Sequence, residues 1–305
     1  MKKLLALVLV LALALPFFAI AEEKFDVVMV SDIGQIDDKS FNQGTWEGVE
    51  EYAKKNNKTY KYFMPTEKSV ESYMSMIEQA VKAGAKIIVT PGFLFEEPIF
   101  MAQDMYPDVH FILIDGTPHD AEYKEFRTGE NVVGITYAEQ QAGFLAGYAA
   151  VKDGYTQLGF MGGMAVPAVV RFGYGFVEGA NYAAKELGLK DVKVNYHYTG
   201  KFEATPEAKA TAASWYKDGV QVIFACGGAL GNSVMAAAKE QNGKVIGVDV
   251  DQSFESETVI TSAMKGLRPA VVQMLTKFFN NEFPGGQNLV LDASKEGVSL
   301  PMNTS

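Results

Sequence analysis

The sequence predicts an α/β protein made of two doubly wound parallel sheets. Three features carry that expectation. Short β-branched runs alternate with amphipathic stretches, the alternation is gone through twice, and most of the β runs stop at Gly or Asp.

In the first unit, Phe25 to Ser31 is apolar enough for a strand buried on both faces, and Phe41 to Lys55 reads as a helix. Thr59 to Met64 follows as a strand, Ser69 to Ala83 as a helix, and Lys86 to Thr90 as a strand ended by Pro91-Gly92. Glu97 to Tyr106 is helical, and Val109 to Asp115 is another strand. A strand at Val132 to Thr136 and a helix from Glu139 to Lys152 close this part.

The second unit repeats the plan. Gln157 to Met161 is a strand, Phe172 to Leu187 a helix, Val192 to Tyr198 a strand and Thr205 to Tyr216 a helix. Val220 to Ala225, Lys244 to Val248 and Thr258 to Met264 are strands, with helices at Asn232 to Gln241 and Pro269 to Asn280. Each unit holds roughly 120 residues, an ordinary domain size. The repetition is one of topology, with no internal sequence repeat. No long Pro/Ser/Gly linker parts the units, so short crossing segments must form any hinge.

Composition narrows the function classes. The 305 residues, 48% hydrophobic and 12% aromatic, exclude a mostly disordered chain. A formal charge of −10 argues against nucleic acid as a partner, because phosphate binding needs a basic surface. One cysteine, Cys226, allows no intrachain disulfide and no CxxC metal site, and reads as a small buried residue. The three histidines, His110, His119 and His197, are too dispersed for a His-rich metal centre.

Residues 1–21 read as a signal peptide. Lys2-Lys3 form a basic start, Leu4 to Leu15 an apolar run, and Pro16 a break before Ala19-Ile20-Ala21, with Glu22-Glu23 beyond. A membrane anchor is the alternative, but the apolar run is short for a span. No cysteine stands at the cut for a lipid. A soluble periplasmic protein is expected, with an N-terminal lobe over 22–137 and a C-terminal lobe over 138–258. Residues 259–305 then supply a crossing strand and a terminal helix that returns to the first lobe.

Ligands of parallel sheets bind where strands end, in a crevice lined by helix N-termini. The ends here are Ser31-Asp32-Ile33-Gly34, Thr90-Pro91-Gly92, Asp115-Gly116-Thr117, Gly162-Gly163, Gly227-Gly228 and Asp249-Val250-Asp251. Any one of them is ordinary turn chemistry. Asp32, Asp115 and Asp249 gathered on one edge is a better sign of a polar ligand.

The run Ser31-Asp32-Ile33-Gly34-Gln35-Ile36-Asp37-Asp38-Lys39-Ser40-Phe41-Asn42-Gln43 resembles the opening signature of the basic membrane protein (BMP) family. These are nucleoside-binding solute receptors of ABC importers, of the type represented by the purine nucleoside receptor lipoproteins of spirochaetes. Further similar blocks are Gly159 to Met164 with Pro167, Phe172 to Gly179, and Tyr198 to Phe202. Phe224 to Gly228 with Gly231, Gly247 to Gln252, and Thr261 to Lys265 complete them in family order. The resemblance implies a two-lobed type I periplasmic-binding-protein fold, each lobe a doubly wound parallel sheet, with three crossings and the ligand in the cleft. Relatives usually continue past the part matching Gly297 to Leu300 with a further helix and strand; either those last elements are lost here or this branch does without them.

Position by position, the resemblance makes Phe41 the aromatic that stacks on the base and Asp32 and Asn42 its hydrogen-bonding partners. Phe202 matches a second aromatic on the opposite face, with Phe172 and Phe176 as competitors for that role. Asp115, Asp249 and Lys265 match the residues that hold ribose hydroxyls, and Gly228 a point where backbone lines the pocket. The chemistry fits independently: a nucleobase asks for aromatic faces and polar groups in its plane, and vicinal hydroxyls suit carboxylates. Asp37, Asp38, Asp251 and Trp46 read as structural or surface residues. An acidic cleft would repel phosphate, which favours nucleosides over nucleotides.

Rival classes stay in view. A nucleoside hydrolase would place a calcium-binding aspartate cluster at the first strand, but Val30 replaces the leading Asp and Asp37-Asp38 is out of register. A sugar-responsive regulator would need a DNA-binding headpiece. A receptor for a simple sugar is the main alternative, since fold alone does not choose a ligand. The expected protein is no enzyme, uses no cofactor or metal, acts as a monomer, and has a nucleoside and an ABC permease as partners.

Overall fold

A computed structural model of the chain describes residues 24–302; the signal peptide expected at 1–21 lies outside them. Two six-stranded sheets are present. The first contains β1 (Val27–Val30), β2 (Tyr60–Phe63), β3 (Ile87–Pro91), β4 (His110–Ile114), β5 (Val132–Tyr137) and β11 (Gln287–Leu291). Their order is β2-β1-β3-β4-β5-β11, all parallel. The second contains β6 (Gln157–Gly162), β7 (Lys193–Tyr198), β8 (Val222–Cys226), β9 (Lys244–Asp249), β10 (Val259–Lys265) and β12 (Val298–Ser299). Its order, β7-β6-β8-β9-β10-β12, repeats the first, except that β12 runs antiparallel.

Burial explains which residues became strands. The central strands β1, β3 and β8 are buried at every position, as expected where helices cover both faces. The outer strands β2, β7 and β11 have no fully buried residue, and each mixes polar with apolar positions.

Helices α1 (Phe41–Lys55), α2 (Val70–Lys82) and α3 (Glu96–Met105) serve the first lobe. Helices α4 (Glu139–Lys152), α5 (Pro167–Leu187), α6 (Pro206–Lys217) and α7 (Leu230–Gln241) serve the second. The last helix, α8 (Leu267–Phe279), returns to the first lobe and packs along α1. One apolar core joins the lobes, taking in Val27 and Ile112 from one sheet and Phe160 and Val248 from the other, with Ala142 and Val271 between.

Helices α4 and α5 touch backbone to backbone. A methyl added at Gly147 would lie 2.0 Å from Phe176 O, and one at Gly179 would lie 1.9 Å from Phe144 O. Only glycine permits so close an approach.

The chain passes between lobes three times. It crosses at Ala138 from β5 to α4, at Gly266 from β10 to α8, and through Asp292–Gly297 from β11 to β12. The crossings lie side by side: Ala138 N donates to Leu291 O at 3.0 Å, and Gly266 N to Gly297 O at 2.8 Å. Sequence periodicity did not anticipate β11 or β12, which follow the terminal helix and extend both sheets.

Candidate ligand-binding cleft

The carboxyl ends of the two sheets face each other, and the strand-end residues meet there. On the first lobe the loop after β1 leads into α1. Asp38 organises that turn, accepting from the backbone N–H groups of Ser40 at 2.9 Å, Asn42 at 3.0 Å and Gln43 at 3.1 Å. Burial pushes its carboxyl up to about 6, with Asp249 adding repulsion. Asp37 is exposed, Asp251 accepts from Ser253 N–H, and Trp46 packs on Tyr60 and Tyr62.

Asp32 and Asn42 form a pair. Asn42 Nδ2 donates to Asp32 Oδ1 at 2.8 Å, and Gly34 N donates to the same oxygen at 2.7 Å. Burial raises the Asp32 carboxyl despite those two donors. The amide is held by its nitrogen, so Asn42 Oδ1 is left buried with no partner. Phe41, half-buried, lies next to this pair. A methyl at Gly92, whose φ is +106°, would sit 3.7 Å from both Asp32 Oδ2 and Phe41 Cε1.

Asp115 and Asp249 occupy corresponding places at the carboxyl end of the fourth strand in the order of each lobe, Asp115 just past β4 and Asp249 as the last residue of β9. Both have left-handed backbone, with φ of +61° and +66°. Such a conformation costs about 1 kcal/mol or more for a residue with a side chain, and Asp bears it better than most. Lys265, the last residue of β10, stands between them with a side chain 2% exposed. Its ammonium pairs with Asp115 Oδ2 and lies 3.1 Å from Glu139 Oε1. It also lies 5.2 Å from the Phe41 ring centre and 5.4 Å from those of Tyr137 and Phe172.

Burial alone would strip the proton from Lys265, but Asp115, Glu139 and Asp249 outweigh it and hold the group well above the ordinary lysine range. Burial pushes Asp115 up to about 6, with Lys265 opposing and Glu139 adding repulsion, and Asp115 Oδ1 has no partner. Burial likewise raises Asp249, which accepts from Ser40 Oγ at 2.6 Å. That contact joins the lobes, as does Gln252 Nε2 donating to Lys39 O at 2.8 Å.

Phe202 stands on the second lobe, half-buried over Gly163, where an added methyl would strike its ring. Gly228, φ +55°, lies between the Phe202 carbonyl and Asp38 Oδ2; a methyl there would be 3.5 and 3.7 Å from them. Phe172 and Phe176 are buried in the second lobe against Phe224. Sequence reading passed over Glu139, Arg171, Ser40 and Gln252. Among the described residues, no group of three or more His, Cys, Asp or Glu side chains is arranged to hold a metal ion.

Over residues 25–305 the chain matches the family model Bmp, described as an ABC transporter substrate-binding protein, PnrA-like. The chain belongs to the Bmp family. Its members are extracytoplasmic substrate-binding proteins of ABC transporters, and the protein is a receptor and not an enzyme. It is 30% identical over 300 residues to the ABC transporter nucleoside-binding protein BmpA of Lactococcus lactis, covering 91% of this chain and 81% of that one. It is 33% identical over 271 residues to basic membrane protein A of Borreliella burgdorferi, covering 87% and 76%.

Among solved structures, a solute-binding protein of an ABC transporter system from Aeropyrum pernix superposes with a TM-score of 0.80. It is 26% identical over 91% of this chain and 76% of that one. A second, from Conexibacter woesei, gives 0.70 at 25% identity, covering 90% and 88%. The type I periplasmic-binding-protein fold expected from the Bmp resemblance is therefore the observed one. Among the described residues, no helix is long and apolar enough to cross a membrane.

Proposed function

We propose that this Bmp protein closes its two lobes around a purine nucleoside and delivers it to the permease of an ABC importer from the periplasmic side of the membrane. The observation that carries the reading is the pair of buried, unpartnered acceptors, Asn42 Oδ1 and Asp115 Oδ1, in sites that both adjoin the Phe41 ring. Phe41 is assigned to stacking on the base, with Phe202 on the opposite lobe and Gly228 as backbone lining. Asp32 and Asn42 read the base edge. Asp115, Asp249 and Lys265 hold the ribose hydroxyls, carboxylates accepting and the ammonium donating.

The orientation of Asn42 narrows the base. One of its two N–H groups is engaged by Asp32 while its Oδ1 is buried without a donor, so that oxygen asks the base for an N–H. A 6-oxopurine nucleoside such as guanosine or inosine supplies a ring N1–H. A nucleotide would bring phosphate toward Asp115, Asp249, Glu139 and Asp38, whose charge opposes it. The nucleoside-binding name of the Lactococcus relative supports the ligand class.

Closure follows from contacts made by both lobes. Ligand that touches Phe41 and Asp115 on one side and Asp249 and Lys265 on the other gains all of them only when the lobes meet, which shifts the population to the closed form. Calorimetric titration of the purified protein with guanosine, inosine, 1-methylguanosine, guanosine monophosphate and ribose tests the reading. Binding of the first two, with loss on N1 methylation or phosphorylation, is expected. Tight binding of ribose with none of the nucleosides would overturn it.

A further inference from the structure

Lys265 has more carboxylate around it than a sugar site requires. Besides Asp115 it meets Glu139, and Glu139 differs in kind from the strand-end acids. It is the first residue of α4, immediately past the crossing at Ala138, and its side chain is fully buried. Its second oxygen, Oε2, accepts from Arg171 Nε at 2.5 Å. Arg171 belongs to α5, the helix whose backbone is pressed against α4 through glycines. The glutamate is thus braced from its own helix and the next. Lys265 and Arg171 overcome the effect of burial and keep its carboxyl below the ordinary range.

We propose that Glu139 is a positioning residue for the ligand site: as a second counter-ion, braced by Arg171, it shares the hold on Lys265, so that Asp115 meets the ammonium through Oδ2 alone and keeps Oδ1 to accept from the sugar. The inference rests on the nucleoside reading above. A buried ammonium with a single acid in reach pairs with it closely and removes both from the ligand. With two acids in reach, the ammonium bonds Asp115 through Oδ2 and stands 3.1 Å from Glu139 Oε1 as an ion pair without a hydrogen bond, and Asp115 keeps Oδ1 without a partner. The charged groups facing this point are Asp115 after β4, Glu139 on α4, Arg171 on α5, Asp249 ending β9 and Lys265 ending β10. Tyr137 and Cys226 face it as neutral groups, burial raising both. Three acids stand against two cations, so removing the Glu139 charge changes what Asp115 experiences.

Glu139→Gln preserves shape and can still accept from Arg171. Calorimetric titration with guanosine and with guanine, between about pH 5 and 8, is the primary measurement. The expected result is guanosine binding weakened about ten- to hundredfold, with guanine binding changed less than about twofold. The acid limit of guanosine binding also moves to lower pH, because Asp115 loses the repulsion of Glu139. Glu139→Asp recovers part of the loss. In the ligand-free protein, a carboxyl-carbon NMR titration shows the Asp115 midpoint falling in E139Q. Arg171→Gln, at a side chain 36% exposed, moves each readout the same way by less, and serves if E139Q does not fold. Guanosine and guanine affinities falling together, or an Asp115 midpoint that stays put, would overturn the proposal. If the unmodified protein binds no nucleoside while that midpoint still falls in the variant, the ionic arrangement stands and the receptor reading fails.

Discussion

Asp249 offers the clearest single perturbation, because its charge and its backbone can be removed separately. Asp249→Asn keeps a side chain that tolerates φ of +66° and removes only the charge. A hydrogen bond from a ligand hydroxyl to a charged acceptor is worth about 1.5–3 kcal/mol, so its loss weakens nucleoside binding about 10- to 150-fold. Ser40 Oγ, 2.6 Å from Asp249, also loses a charged acceptor, which makes closure less favourable by roughly a further 1 kcal/mol. Stability moves differently. Burial raises the Asp249 carboxyl, so its charge is a cost to the fold and D249N is expected to melt no lower than the parent protein. Asp249→Ala weakens binding as much, yet adds about 1 kcal/mol of left-handed strain and lowers the melting temperature by about 2–4 °C. Calorimetry against guanosine and thermal melting of both variants are the assays. If D249N binds guanosine within about twofold of the parent, the assignment of Asp249 to the ligand is wrong.

Phe41→Ala should cost about 1–3 kcal/mol of nucleoside affinity, with Phe41→Tyr close to the parent, as titration calorimetry will read. Guanosine binding should weaken as pH falls through about 6, because Asp115 must be ionised to accept and its carboxyl takes a proton there. A flat profile between pH 7 and about 5 would contradict this, and Asp115→Asn should remove that acid limb. Gly179→Val puts a Cβ within 1.9 Å of the Phe144 carbonyl oxygen and should destabilise the protein by about 3 kcal/mol or more in urea unfolding, with an unchanged urea midpoint counting against the α4–α5 contact.

Most of the architecture was legible because central strands in a parallel sheet must be apolar throughout. Val27–Val30 and Val222–Cys226 show this plainly, and a window of four or five residues is enough to see it. Gln287–Leu291 was not read as a strand: it follows the terminal helix, outside the strand–helix alternation that pointed to the edge strands β2 and β7, and is placed by its pairing with β5. The same division holds in the cleft. Asp32, Asp115 and Asp249 follow strands, and strand ends in parallel sheets face the ligand side by construction. Glu139 opens a helix, where an acid is ordinary dipole chemistry, and Ser40 stands where a helix cap is expected. What gives them another meaning is the meeting of residues 115, 139 and 265, produced by two crossings that no local pattern encodes. Phe172 and Phe176 show the same limit: they are aromatic residues that sequence alone cannot separate from Phe202, and both pack against Phe224 inside the second lobe.

The glycine contact between α4 and α5 also determines how movement leaves the cleft. Glu139, beside the ammonium, is the first residue of a helix of 14 residues, so α4 reaches about 20 Å from the site. Because α5 grips it backbone to backbone, α4 cannot bend independently of the second lobe. A rotation of a few degrees at Ala138 therefore reaches its far end, near Lys152, undiminished as a displacement of an ångström or so. On the other side of the hinge α8 does the same for the first lobe, packed along α1 from Gly266 outward. If the lobes close as proposed, the outer surface of the molecule carries a mechanical copy of the state of the binding site, legible to a partner that never touches the ligand.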